Sequence, residues 1–195
     1  RWALREACQQ LRTSRARGIV LPRVSVNVSI RQLYHPGFVE TVRQALERFN
    51  CDPGSLELEV TESMLAERVT EVQATLDQLS ALGVALALDD FGTGYASLAY
   101  LRDLPIQVVK IDQSFVRGLP FNEGSVTIVR AMIAMSHALG KTVTAEGVET
   151  EAQLNMLRAL DCDAAQGYRI SRPVPAAEFE RFMRKANHAE RDFAV

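Results

Sequence analysis

What the chain lacks narrows it first. Its three cysteines, Cys8, Cys51 and Cys162, form no CxxC and cannot all pair, which argues against a disulfide scaffold and for a reduced, cytoplasmic compartment. Its three histidines, His35, His137 and His188, show no HExxH spacing, so a His/Cys zinc site is not expected. With 22 basic against 24 acidic side chains, the chain has no electrostatic footprint for duplex nucleic acid or an anionic membrane. No apolar run is long enough to cross a bilayer, and the best stretch, 126–139, contains Arg130 and His137. No signal peptide, internal repeat, low-complexity tract or inter-domain linker is visible in it. What remains is 195 residues, 47% of them hydrophobic, enough for one sizeable core. The chain opens on Arg1 with a helical pattern already under way, and reads as a piece of a longer polypeptide.

Six short apolar or alternating segments are separated by helical patterns. The spacing predicts helices over 2–11, 38–49, 70–82, 125–139, 151–160 and 175–186, with a short helical turn at 97–101 and a fraying tail. Residues 12–18 read as a basic linker. Strands are expected at 24–29, 56–62, up to Asp89-Asp90, 107–112, 142–146 and 163–168. Strands alternating with helices argue for a parallel sheet covered by helices.

Each strand carries a polar or charged residue near its C-terminal end: Asn27, Glu59, Asp89, Lys110, Glu146 and Gln166. In a β/α barrel such ends converge on one mouth, where active sites lie; an open doubly wound sheet would concentrate them at a switch point. Contributions from all six favour the barrel. Asp89 and Asp90 are adjacent carboxylates entering a two-glycine loop, Gly92-Thr93-Gly94. Brought together they repel unless a cation or a proton intervenes, and hard divalent cations take oxygen ligands. A solvated acidic turn is the simpler reading of an isolated Asp-Asp pair; the other strand ends overturn it. Glu57 reads as a salt-bridged interior residue.

These stretches resemble the EAL domain, the bacterial cyclic-di-GMP phosphodiesterase family. The matching segments are Val26-Asn27-Val28-Ser29, Glu59-Val60-Thr61-Glu62-Ser63, Asp89-Asp90-Phe91-Gly92-Thr93-Gly94-Tyr95, Lys110-Ile111-Asp112, Ala145-Glu146-Gly147-Val148-Glu149-Thr150 and Gln166-Gly167-Tyr168. The resemblance implies a TIM-type β/α barrel with two divalent cations, Mg²⁺ or Mn²⁺, at its mouth. It implies Asn27, Glu59 and Asp89 as ligands of one cation, with Asp89 bridging to a second held by Asp90 and Glu146. Lys110 resembles the lysine that positions or deprotonates the attacking water, and Glu62 the glutamate that anchors the loop 90–97. Glu149 is carried over as a catalytic candidate, and Asp112 and Gln166 as substrate-contacting groups.

The implied reaction is hydrolysis of cyclic-di-GMP to linear pGpG. Two cations about 3.5–4 Å apart can activate a water and clamp the phosphate, and like charge from them would push Lys110 toward its neutral form. The resemblance also implies a homodimer, and a sensory or diguanylate-cyclase-like domain flanking this one in a longer protein. The family's Glu-Ala-Leu motif is absent. The expectation is therefore an N-terminally truncated barrel, residues 1–195, with about six of eight strands. The alternative is a catalytically inactive module that binds cyclic-di-GMP without turnover. The retained Asp-Asp pair and lysine favour the enzyme.

Overall fold

The computed structural model describes residues 2–94 and 98–192. Six parallel strands pair in chain order into one curled sheet, half of a barrel, with helices on its convex side. The strands are β1 (Val24–Asn27), β2 (Leu56–Thr61), β3 (Ala85–Phe91), β4 (Val108–Ile111), β5 (Thr142–Ala145) and β6 (Ala164–Ala165). The helices are α1 (Trp2–Ala16), α2 (Ile30–Leu33), α3 (Phe38–Phe49), α4 (Glu62–Ala81), α5 (Leu98–Asp103), α6 (Gln113–Val116), α7 (Glu123–Ala138), α8 (Glu151–Ala159) and α9 (Ala176–Asp192).

Strand order follows from the βα repeat, because each crossover helix returns the chain beside the strand it left. All four residues of β4 are buried, as are Leu86, Ala87 and Leu88 of β3; covered on both faces, these strands read as apolar runs rather than clean alternation. Between sheet and helices lies a core that includes Val42, Leu46, Leu58, Val60, Leu76, Leu79 and Val109. The helix ends are locally encoded. Asn50, at φ 49°, stops α3 in the left-handed conformation. Thr150 and Gln153 form a reciprocal capping box at the start of α8.

On the concave side a cavity of about 660 Å³ is lined by residues including Ser25, Glu57, Lys110, Thr144, Gln166 and Phe182. Glu57 is buried there, accepting from Ser25 Oγ at 2.8 Å and pairing with Arg23 at 3.0 Å. Helix α9 lies along the open side. Its Phe179 and Met183 pack on Leu11, Ile19 and Leu21. Its buried Glu180 accepts from Ser14 Oγ at 3.2 Å and Gln10 Nε2 at 3.0 Å and pairs with Arg17 at 2.6 Å.

Several sequence expectations are corrected. The basic segment 12–18 is mostly helix: α1 runs to Ala16 because Leu11 and Ser14 bury one face, and arginine is a good helix former. The first strand ends at Asn27; Ser29 instead caps α2, an element the periodicity did not reveal. Glu62 is not the end of a strand but the first residue of α4, which starts eight residues before position 70. The last strand is only Ala164–Ala165. The segment 187–192 continues α9, where a fraying tail was expected, while 193–195 lie outside the described residues. So do Tyr95 and Ser97, the ends of the loop motif and of the helical-turn expectation.

Candidate metal centre and active site

The register sets the site. Asn27 lies beside Glu59, Thr61 beside Asp89, and Ile111 beside Ala145, so the polar strand ends come level along one rim. Successive strand residues point to opposite faces, which should separate Asp89 from Asp90. The β3–β4 register is irregular between Leu88 and Phe91, and Asp90 takes φ 55°. Aspartate tolerates this left-handed conformation better than most residues, and the kink restores both carboxylates to the same rim. One oxygen each of Asp89, Asp90 and Glu146 lie within 4.8 Å of one another.

Lys110, buried on β4, reaches into this cluster. Its Nζ lies 2.7 Å from Glu59 Oε1, 3.4 Å from Asp89 Oδ1 and 2.5 Å from Glu146 Oε1. Burial alone would lower the lysine's pKa, but hydrogen bonds to Glu146 and Glu59 outweigh it, and the ammonium is held charged, above its ordinary range. In the protein's own charges Lys110 is thus a charged donor; the neutral lysine expected beside two cations would need the carboxylates' charge offset. Glu146 is raised, by burial first, with Lys110 pulling it back. Asp90 is raised by burial and then by the neighbouring Asp89 and Asp112 carboxylates.

Glu62, 2% exposed, lies beneath the loop that follows β3. Its Oε2 accepts from Gly92 N at 2.7 Å and Gly94 N at 3.2 Å. Gly92 has φ 98°, and a Cβ there would meet Met132 Cε at 2.3 Å and the Phe115 ring at 2.7 Å, so this turn admits only glycine.

The structure brings Glu59, Asp89, Asp90, Lys110 and Glu146 together, with Asn27 paired to Glu59 on the edge strand β1, where it is exposed. Asp112 is engaged locally, capping α6 through Ser114 N at 2.9 Å. Glu149 is exposed between β5 and α8; its backbone N–H donates to Gln153 Oε1 at 2.8 Å, and among the described residues its carboxylate makes no hydrogen bond or ion pair. Gln166 is exposed beyond β6, its carbonyl accepting from Val148 N at 3.0 Å. Beyond Gln166, the guanidinium of Arg172 lies 4.6 Å from the ring centroid of Tyr168, the last residue of the Gln166-Gly167-Tyr168 segment; Arg172 itself was not singled out in the sequence. The only signal was the Gln-Gly-Tyr motif, four residues before the arginine.

A sequence profile of the EAL domain matches residues 1–173. The chain is 45% identical over 183 residues to the cyclic di-GMP phosphodiesterase NbdA of Pseudomonas aeruginosa, covering 94% of this chain and 23% of that protein. It is 43% identical over 177 residues to the bifunctional diguanylate cyclase/cyclic di-GMP phosphodiesterase MucR of the same organism, covering 91% and 26%. The chain therefore spans about a quarter of the length of these curated relatives. Among solved structures, the EAL domain of Mycobacterium smegmatis DcpA superimposes with TM-score 0.89 at 41% identity, covering 95% of this chain and 83% of that one. The PaMucR phosphodiesterase in complex with c-di-GMP gives TM-score 0.87 at 43% identity, covering 91% and 72%.

Proposed function

The chain belongs to the EAL domain family, and on that premise we propose that residues 1–195 form part of a domain that hydrolyses cyclic-di-GMP to linear pGpG with the help of two divalent cations. The observation that carries this reading is the cluster of Asp89, Asp90 and Glu146 oxygens at the strand ends, with Glu59 and Lys110 beside it. The donor set fits the metal. It is all oxygen, without histidine or cysteine, as Mg²⁺ and Mn²⁺ prefer.

Asn27, Glu59 and Asp89 would hold one cation, and Asp89, Asp90 and Glu146 the other. When bound, these cations supply neutralisation of phosphate charge and acidification of water. The chain's own residues do the rest. Lys110 donates from Nζ and orients the water that attacks phosphorus. Glu62 fixes the backbone of the loop at Gly92 and Gly94, and with it the position of Asp90, whose carbonyl accepts from Thr93 N at 3.2 Å. Gln166, which lines the cavity that contains Lys110, and Asp112, whose carboxylate acts on Asp90, would contact the substrate, and Glu149 is kept as a catalytic candidate.

We place the domain in the cytoplasm; among the described residues no helix is long and apolar enough to cross a membrane. A homodimer and a flanking sensory or cyclase-like domain belong to the same proposal, the latter supported by the two activities in MucR's name. The test is hydrolysis of cyclic-di-GMP with Mg²⁺ or Mn²⁺ by the full-length protein. Turnover to pGpG, lost in Asp89→Asn together with at least ten-fold of Mn²⁺ affinity, is the expected result. A protein that binds the nucleotide without cleaving it is a receptor instead.

A further inference from the structure

The cluster at the mouth accounts for the phosphate end of the proposed substrate and leaves its bases unread. All the groups gathered there except Lys110 are carboxylates or an amide, and a guanine presents two acceptors, O6 and N7, on one edge. A planar fork of N–H donors is what matches that edge.

Such a fork stands beyond β6. The turn that carries it is fixed at both ends of its hydrogen bonding. Gly167 presses on Val148, where a Cβ would come within 2.3 Å of the Val148 N and O atoms. Arg169 N donates to Val148 O at 2.9 Å, and Ile170 N and Ser171 N both donate to Gly167 O, at 3.0 and 3.1 Å. Val148 is two residues past Glu146, so the turn is tied to the same strand end that supplies a carboxylate of the cluster. Arg169 is held separately by Glu151 at the start of α8. Ile170 and Ser171 line the cavity that also contains Lys110 and Gln166. Arg172 follows them directly.

Arg172 differs from an ordinary solvated arginine in how it is held. Its guanidinium lies over the ring of Tyr168, itself 54% exposed. Among the described residues it has no carboxylate partner. Stacking on an aromatic face restrains a guanidinium in its plane while leaving its N–H edge free. Resting on the hydrolase reading above, we propose that Arg172, braced on Tyr168, reads the guanine edge of the substrate and sets the preference for guanine over adenine. Adenine carries an N6 amino group where guanine has O6, so one of the two acceptors is replaced by a donor that opposes the fork.

The experiment uses the full-length protein, wild type, Arg172→Ala, Arg172→Lys and Tyr168→Ala. Binding of cyclic-di-GMP and of cyclic-di-AMP is measured calorimetrically with Ca²⁺ in place of Mg²⁺, and kcat and KM for cyclic-di-GMP are measured with Mn²⁺. Arg172→Ala is expected to weaken cyclic-di-GMP binding about 5- to 150-fold, the range of one bidentate base contact. Cyclic-di-AMP binding should stay within about two-fold, so the ratio between the ligands collapses, and the loss for cyclic-di-GMP should fall more on KM than on kcat. Arg172→Lys should recover little, having no fork, and Tyr168→Ala should fall between. An unchanged ratio overturns the proposal, whether because the variant is silent or because both nucleotides weaken equally, as a phosphate clamp would require. A wild type that binds but does not cleave refutes the hydrolase reading while the ratio still decides Arg172; a wild type that binds neither nucleotide overturns both.

Discussion

Removing the Glu62 carboxylate isolates what holds the loop after β3. A single oxygen, Oε2, accepts from Gly92 N at 2.7 Å and Gly94 N at 3.2 Å. Hydrogen bonds to a charged acceptor contribute about 1.5–3 kcal/mol each, so the pair is worth about 3–6 kcal/mol at most. Both glycines are exposed, so in Glu62→Ala their amides regain water and roughly half of that is recovered. Glu62 also opens α4, where a carboxylate gains about 0.3–1 kcal/mol from the helix dipole. The expected net loss is about 2–4 kcal/mol for Glu62→Ala. Glu62→Gln can keep an oxygen in the place of Oε2, so both bonds survive in weaker, neutral form, and the loss should be about 1 kcal/mol. Urea unfolding gives the two free energies, and amide hydrogen exchange at positions 92 and 94 reads the loop directly. The reasoning fails if Glu62→Ala costs less than about 0.5 kcal/mol, if the two amides stay as protected as in wild type, or if Glu62→Gln does as much damage as alanine.

Lys110 is the buried counter-charge of Glu59, Asp89 and Glu146. Removing one partner of such a group costs about 3–5 kcal/mol, so Lys110→Met should lower the melting temperature without added metal, and Mn²⁺ should raise it more in the variant than in wild type; equal Mn²⁺ shifts would show that lysine and cation do not answer the same charge. Lys141 is buried, its Nζ donating to the Ile106 carbonyl at 2.7 Å, and burial lowers its pKa. The unfolded chain therefore binds this proton more tightly. The penalty is present in full below the folded pKa and is relieved as pH rises through it toward the unfolded value. Wild-type stability should thus gain an upward contribution as pH rises toward the ordinary lysine value that Lys141→Met lacks, as urea midpoints measured up to that pH would reveal. Asp163 accepts from Val143 N at 2.7 Å and bonds His137 Nε2 at 2.8 Å. Burial raises its pKa, but these two partners outweigh it and the net direction is down. Its contribution is present above the unfolded carboxylate value and lost as pH falls through the folded one, so Asp163→Asn should cost about 1 kcal/mol near neutrality and nothing in strong acid; a loss independent of pH would refute this.

The strand-end residues were easier to align from the sequence than the boundaries of the elements that carry them, and the difference is one of range. A residue at the end of an apolar strand is marked by its neighbours, so Glu59, Asp89, Lys110 and Glu146 could be aligned before any contact was known, and parallel pairing then brings them level. Element boundaries depend on partners far away. The segment 12–16 looks like a basic linker until Glu180, 166 residues past Ser14, closes over it. Glu62 continues the alternation of β2 in sequence, yet Thr61, at ψ 152°, is already the cap of α4; the loop glycines 30 and 32 residues downstream give the carboxylate its place. The kink at Asp90 is the sharpest case. Strand alternation by itself would put Asp89 and Asp90 on opposite faces, and only a backbone rotation to φ 55° lets both join Glu146. That rotation is affordable because aspartate accepts the left-handed region and because Gly92 and Gly94 follow. The two-glycine loop and the adjacent carboxylates are therefore one feature: the glycines let the backbone turn, Glu62 holds the turn, and the turn makes two neighbouring aspartates into one cluster.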